Sequence, residues 1–206
     1  MNRIFAIRTF LLGAFALALS ACGINSVPTK EEAAKAEWAN VQSAYQRRAD
    51  LIPNLVSTVR AAASSEEQIL TQVIEARASA TQTNINADDL GDAEKFRQFE
   101  QAQGNLGSAL SRLMVVVEKY PELQSQQRFA DLMNALEGTE NRIDNARTKY
   151  NEAVRDYNTT IRTFPDTIGA NIIHGAEPME TFQAEAGAET ATDVDFGDMD
   201  TTGAGN

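Results

Sequence analysis

Chemistry needs side chains that take up protons, attack or bind metal, held at a workable spacing. In this 206-residue chain such groupings are few. Arg47, Asp50 and Asn54 lie three and four residues apart, so on a helix they share one face. Glu140, Asp144, Arg147, Asn151 and Asn158 share another. Each set reads either as a binding site or as a polar seam that fixes helix register, as buried Asn does in coiled coils. The seam is the preferred reading. Glu137 and Glu140 form a carboxylate pair of the kind that does acid–base work, but charged helix surfaces carry such pairs without activity. His174 is the only histidine, with no Ser or Cys nucleophile arrangement to join. Asp193-Val194-Asp195 and Asp198-Met199-Asp200 hint at calcium, yet the glycine and distal Glu of an EF-hand loop are missing. A single cysteine and a single histidine exclude a Cys/His zinc site and a disulfide within the chain. Gly104, Gly107 and Gly138 are scattered and make no phosphate loop. No catalytic residue, metal site or cofactor is assigned.

The cysteine is the exception. Arg3 and Arg8 precede an apolar run, Phe10 to Leu19 (FLLGAFALAL). At about ten residues it is too short for a bilayer core, which takes about 20. Leu19-Ser20-Ala21-Cys22 follows, a tetrad that resembles a bacterial lipobox. There the thiol receives a diacylglyceryl group, and the cysteine becomes the acylated N-terminus after residues 1–21 are removed. Two other fates are open: ordinary cleavage after Ala21 with a free Cys22, or retention as a short anchor. Lipidation is favoured, because a free thiol on an exported chain is a liability and several acyl chains anchor stably where one does not. Gly23 after the cysteine favours the outer membrane, on its periplasmic face, if the cell is Gram-negative.

The elements that position these residues are helices. After a short tether, 22–29, apolar residues recur at steps of three and four. Trp38, Val41, Tyr45, Ile52, Leu55, Val59 and Ala62 form one stripe, breached by Arg48, and it resumes at Ile69, Val73 and Ala76. Phe96, Phe99, Leu106, Leu110, Leu113, Val117 and Tyr120 form a second, breached by Gln103. Phe129, Leu132, Leu136, Ile143, Ala146, Tyr150, Ala153 and Tyr157 form a third, breached by Thr139. The expectation is an all-α fold, a long antiparallel bundle of three helices over 30–174. Asp92 is placed as an N-cap, Pro121 in a first turn and Phe164-Pro165 as a stop. The first helix is expected to run on through Pro53 with a kink; a capping box at Ser64-Ser65-Glu66-Glu67 would split it and make four. Continuous, it overruns the second helix by about 30 Å. Trp38, Val41 and Tyr45 then either fold against the third helix or form, with Arg47, Asp50 and Asn54 beside them, the surface that meets a partner.

The net charge is −11, which argues against nucleic acid as a ligand. Eight of the acids and no bases fall in residues 175–206, a stretch without periodicity that is expected to be a disordered acidic tail.

Three strings carry a resemblance beyond periodicity: YQRRADLIPNLV (Tyr45–Val56), YPEL (Tyr120–Leu123), and Phe129–Phe164 with its TENRI…YN…YN series. Together they resemble the LemA family over about residues 30–174. The resemblance implies a bacterial helical bundle tethered to a membrane outside the cytoplasm, with no established biochemical role. Many members keep a membrane-spanning N-terminal helix where this chain has the tetrad ending in Cys22. The reading that follows is a non-enzymatic, lipid-anchored module of the cell envelope that binds or scaffolds another envelope protein. The alternative is self-assembly on the membrane surface.

Overall fold

The computed structural model describes residues 2–183, with side chains from Asn25 onward. All regular structure among them is helical. α1 spans Asn2–Ala62, α2 Glu67–Gln82, α3 Ala93–Val117, α4 Pro121–Gln124, α5 Gln127–Arg162 and α6 Asp166–Gly169, with a closing π-turn at Ala170–His174. Among the described residues no helix is long and apolar enough to cross a membrane.

Two sequence expectations change here. The first long helix is not continuous but splits where the alternative had it: it stops at Ala62, and a 3₁₀ turn at Ser64–Glu66 separates it from α2. Ser64 makes no cap; instead Tyr120 Oη donates to Glu66 Oε1 at 3.0 Å and pairs with Ser65 Oγ at 3.0 Å. The break lets α2 fold back along α1, where Arg77 Nε reaches the Ala49 carbonyl at 2.7 Å. The tether expected over 22–29 also gives way to helix, since α1 runs through it and Val27 is fully buried in the core.

Other boundaries fall as the residue types dictate. Asp92 caps α3, accepting from the backbone N–H groups of Glu94 and Lys95 at 3.0 and 3.1 Å. Pro121 opens α4, a single turn before α5 rather than α5 itself. α5 ends two residues before Phe164. Pro53 lies inside α1, and a proline there supplies no N–H to the carbonyl four residues back. That carbonyl is Ala49's, and it is the one that Arg77 caps.

α1 and α5 run antiparallel along their length. Ser26 meets Asp166, Lys30 meets Asp156 and Arg48 meets Glu140, one number rising as the other falls. α2 and α3 cover the half farther from Asn25. There Ile52, Leu55, Val59, Leu70, Val73, Leu106, Leu113, Leu123 and Leu136 make an aliphatic core. The nearer half holds a second, aromatic core around Trp38, Phe96, Phe99, Tyr150 and Phe182.

Candidate functional site

The three polar breaches of the apolar stripes fall at one level. Arg48 lies between Tyr45 and Ile52, Gln103 between Phe99 and Leu106, and Thr139 between Leu136 and Ile143; each pair straddles the boundary between the two cores. Arg48, 4% exposed, donates through Nη1 to Glu140 at 3.0 and 3.3 Å and through Nη2 to Gln103 Oε1 at 2.7 Å and the Gln103 carbonyl at 3.3 Å. Gln103 Nε2 donates in turn to the Ala80 carbonyl at 3.1 Å. The guanidinium stacks over Tyr45, 5.1 Å from the ring centre, and only its Nε finds no partner. Four helices are thereby tied at one height. A charge buried without partners is expensive, so this layer fixes register; of the two polar sets singled out in the sequence it takes in Glu140 alone.

Above it, residues 175–183 overturn part of the expected tail. They are neither helix nor strand, yet they pack against the bundle, with Met179 and Phe182 buried. The rest of the expected tail, 184–206, lies outside the described residues, as do the aspartate pairs from Asp193 on and the side chain of Cys22. What holds this strap is the repeated Tyr-Asn pair of α5. Asn151 Nδ2 donates to the Phe182 carbonyl at 2.9 Å and its Oδ1 accepts from the Phe182 N–H at 2.9 Å. Asn158 does the same for Met179, at 2.9 and 3.0 Å. Tyr150 and Tyr157 donate to the carbonyls of Glu180 and Glu177 at 2.9 and 3.0 Å. The two rulers match: seven helical residues rise about 10.5 Å, and three residues of extended chain cover about 10 Å. Burial pushes the Tyr150 and Tyr157 phenols above the ordinary tyrosine value, so both stay protonated donors. Glu180 N–H reaches back to the Leu90 carbonyl at 2.9 Å, and Arg147 lies 4.6 Å over the Phe182 ring.

The strap closes the aromatic core. Trp38 is 1% exposed, with ring centres of Phe99 and Tyr150 at 5.3 Å, Phe96 at 5.9 Å and Phe182 at 6.1 Å. Its Nε1 donates to the Ile85 carbonyl at 3.1 Å. Of the expected interaction surface, then, Trp38, Val41 and Tyr45 are interior. α5 lies along them, and the 83–92 loop with the strap covers what the short α2 leaves open. Of the two expected outcomes, the stripe packs against the third long helix and is not an open surface. α3 also reaches it through Phe96 and Phe99, because the first helix breaks at Ala62 and does not overrun the second.

Arg47, Asp50 and Asn54 are exposed on α1. Asp50 accepts from Gln46 Nε2 at 2.7 Å, and the Asn54 carbonyl accepts from Ser57 and Thr58. Arg47 opens onto a groove of about 470 Å³ between α1 and α5, shared with Asn40, Asn141, Arg142, Asn145 and Lys149. A smaller cleft of about 290 Å³ on the other side of α1 is lined mostly by amides and hydroxyls, among them Gln42, Gln46, Thr83 and Asn84. No three His, Cys, Asp or Glu side chains among the described residues converge to hold a metal.

Fold and site together define an all-helical bundle whose core is finished by its own trailing segment. The chain belongs to the LemA family, whose model matches residues 37–196 and so runs through the strap and past it. It is similar to the magnetosome proteins MamQ 2 and MamQ 1 of Paramagnetospirillum magneticum, each 30% identical over 182 residues, and to MamQ of Magnetospirillum gryphiswaldense at 28%. Each match takes in 81% of this chain and 66% of the relative, just under two thirds of its length.

Proposed function

We propose that this chain is a non-enzymatic helical module, held at a membrane of the bacterial cell envelope, that binds or scaffolds another envelope protein. One observation carries the reading. Of the polar residues whose spacing suggested chemistry, Glu140 pairs with Arg48 in the buried layer and Asn151 and Asn158 hold the strap, while Arg47 lines the open α1–α5 groove. Three cations, Arg47, Arg142 and Lys149, and three amides, Asn40, Asn141 and Asn145, line it beside a single acid, Glu37. That lining suits an acidic, polar segment of a partner protein better than a small apolar ligand. The anchor is a lipid on Cys22, which places the bundle outside the cytoplasm, on the periplasmic face of the outer membrane in a Gram-negative cell.

A photo-crosslinking residue at Asn145, activated in living cells, tests the groove. The expected product is an adduct with a different envelope protein that disappears in the R47E/R142E double variant. Adducts only with the chain's own mass would replace binding by self-assembly, and no adduct would overturn both. The anchor has its own test: acyl mass on the peptide that begins at Cys22, with Cys22→Ser left unprocessed or released from membranes. An unmodified soluble form starting at Cys22 would refute it.

A further inference from the structure

The bundle end nearest Asn25 carries exposed apolar side chains that no other described residue covers. After α5 the chain turns through α6 and the π-turn, with Gly169 and Ala170 buried and Phe164, Ile168, Ile172 and Ile173 pointing outward at 80, 51, 79 and 56% exposure. Four large apolar side chains within ten residues make a patch. The other exposed large hydrophobics among the described residues, Ile74 and Val115, stand singly. Isolated ones need no explanation, whereas a contiguous patch marks a surface made to be covered.

Its place in the fold says by what. Ser26 Oγ donates to the Asp166 carboxylate at the start of α6, and Val27 packs in one core with Ile161 and Ala170. The patch therefore sits where α1 enters the bundle, about 6 Å of helix rise beyond Cys22 and just past the apolar run that ends at Leu19. The chain's own strap leaves in the other direction, along α5 from Asn158 toward Arg147. We infer that Phe164, Ile168, Ile172 and Ile173 form a second membrane contact, seated in the lipid surface beside the anchor; this rests on the membrane-anchored reading above. From Thr163 to Gly175 there is one acid, Asp166, and no Lys or Arg, so the contact forms by apolar burial at the headgroup boundary, not by attraction to anionic lipid. Two contacts at one end stand the bundle upright. α1 then carries Ala62 about 55 Å from Asn25, away from the bilayer.

The test uses the full-length, membrane-extracted protein with one added tryptophan, Ile172→Trp, or Val115→Trp near the far end as control. Each is reconstituted in phosphatidylcholine vesicles with or without bromine on the acyl chains, and the signal of the unsubstituted protein, from buried Trp38, is subtracted. Bromolipid should quench Ile172→Trp about twofold or more, equally in about 0.1 M and about 0.5 M salt, and leave Val115→Trp unchanged. If the protein floats with vesicles but the two positions quench alike, the patch proposal falls and the anchor stands. If it does not float, both fall. Blue, unquenched Ile172→Trp emission that depends on protein concentration would give the patch to a second copy and overturn the lipid assignment. Phe164→Trp serves as the second reporter should Ile172→Trp lose helicity.

Discussion

The two halves of the bundle are built by different rules. The half nearest Asn25 buries seven aromatic side chains, from Trp38 to Phe182; the far half buries one, Phe129, among leucines, valines and isoleucines. Helices alone finish the far half, because α2 and α3 both reach it. In the near half α2 is too short, and a loop and an extended strap take its place. Extended chain needs partners for its backbone groups, so that half carries hydrogen-bonding side chains at its edge and rings in its middle. Where helices are complete, apolar stripes suffice; where one is missing, polar side chains must hold the substitute.

Substitutions can break this contrast. Trp38→Ala should cost about 3–5 kcal/mol and, in addition, expose residues 176–183 to protease. Leu113→Ala should cost about 2–5 kcal/mol and leave the strap protected until the whole domain melts. Equal strap exposure in both would show that the halves are one unit. At the layer between them, Arg48→Ala should cost about 1–3 kcal/mol by stranding the buried Gln103 Oε1, half-exposed Glu140 being rehydrated. Arg48→Met, which strands the same oxygen but keeps the packing, should recover only part of that loss in a denaturant melt. Asn158→Ala removes both bonds to Met179 and should cost about 1–3 kcal/mol, with faster amide exchange at Met179 as the local signature. Arg77→Ala should cost about 1 kcal/mol by orphaning the Ala49 carbonyl. In a Pro53→Ala background, which returns an N–H to that carbonyl, the cost should shrink, and a double-mutant cycle measures the coupling.

The smallest effect is one of pH. Burial raises the pKa of Glu100, partly offset by the Gln183 N–H that its carboxylate accepts. The fold therefore favours the protonated form. Its stabilising contribution is complete below the ordinary value of 4.5 and fades as pH rises through the higher value held in the fold. Glu100→Gln should flatten that slope and change stability at neutral pH by less than about 0.5 kcal/mol, read from melts across the acid range.

Much of this was legible because helices write their burial in a period. All three stripes face inward, and even their breaches were visible as Arg48, Gln103 and Thr139. That the three meet was not legible, since meeting depends on helix offsets that one strand of text does not contain. Met179 and Phe182 escaped because an extended segment held by its backbone leaves no periodic mark and sits among acids that read as solvated. The signal was elsewhere: Tyr150-Asn151 and Tyr157-Asn158, seven apart, repeat a donor and an amide on one helix face. Pro53 inside a helix was visible too, but its complement Arg77 lies on another element.

The strap also sets a timetable. Phe182 follows Trp38 by 144 positions, so the near half cannot close until the strap has been made, roughly 7–30 s after Trp38 at ordinary synthesis rates. The far half has all its helices well before that, once α5 has passed Leu136. Contacts this distant in sequence form late and slowly. A nascent chain thus presents a finished aliphatic end and an open aromatic one, and any factor that holds the chain unfolded has Trp38 within reach until the strap arrives.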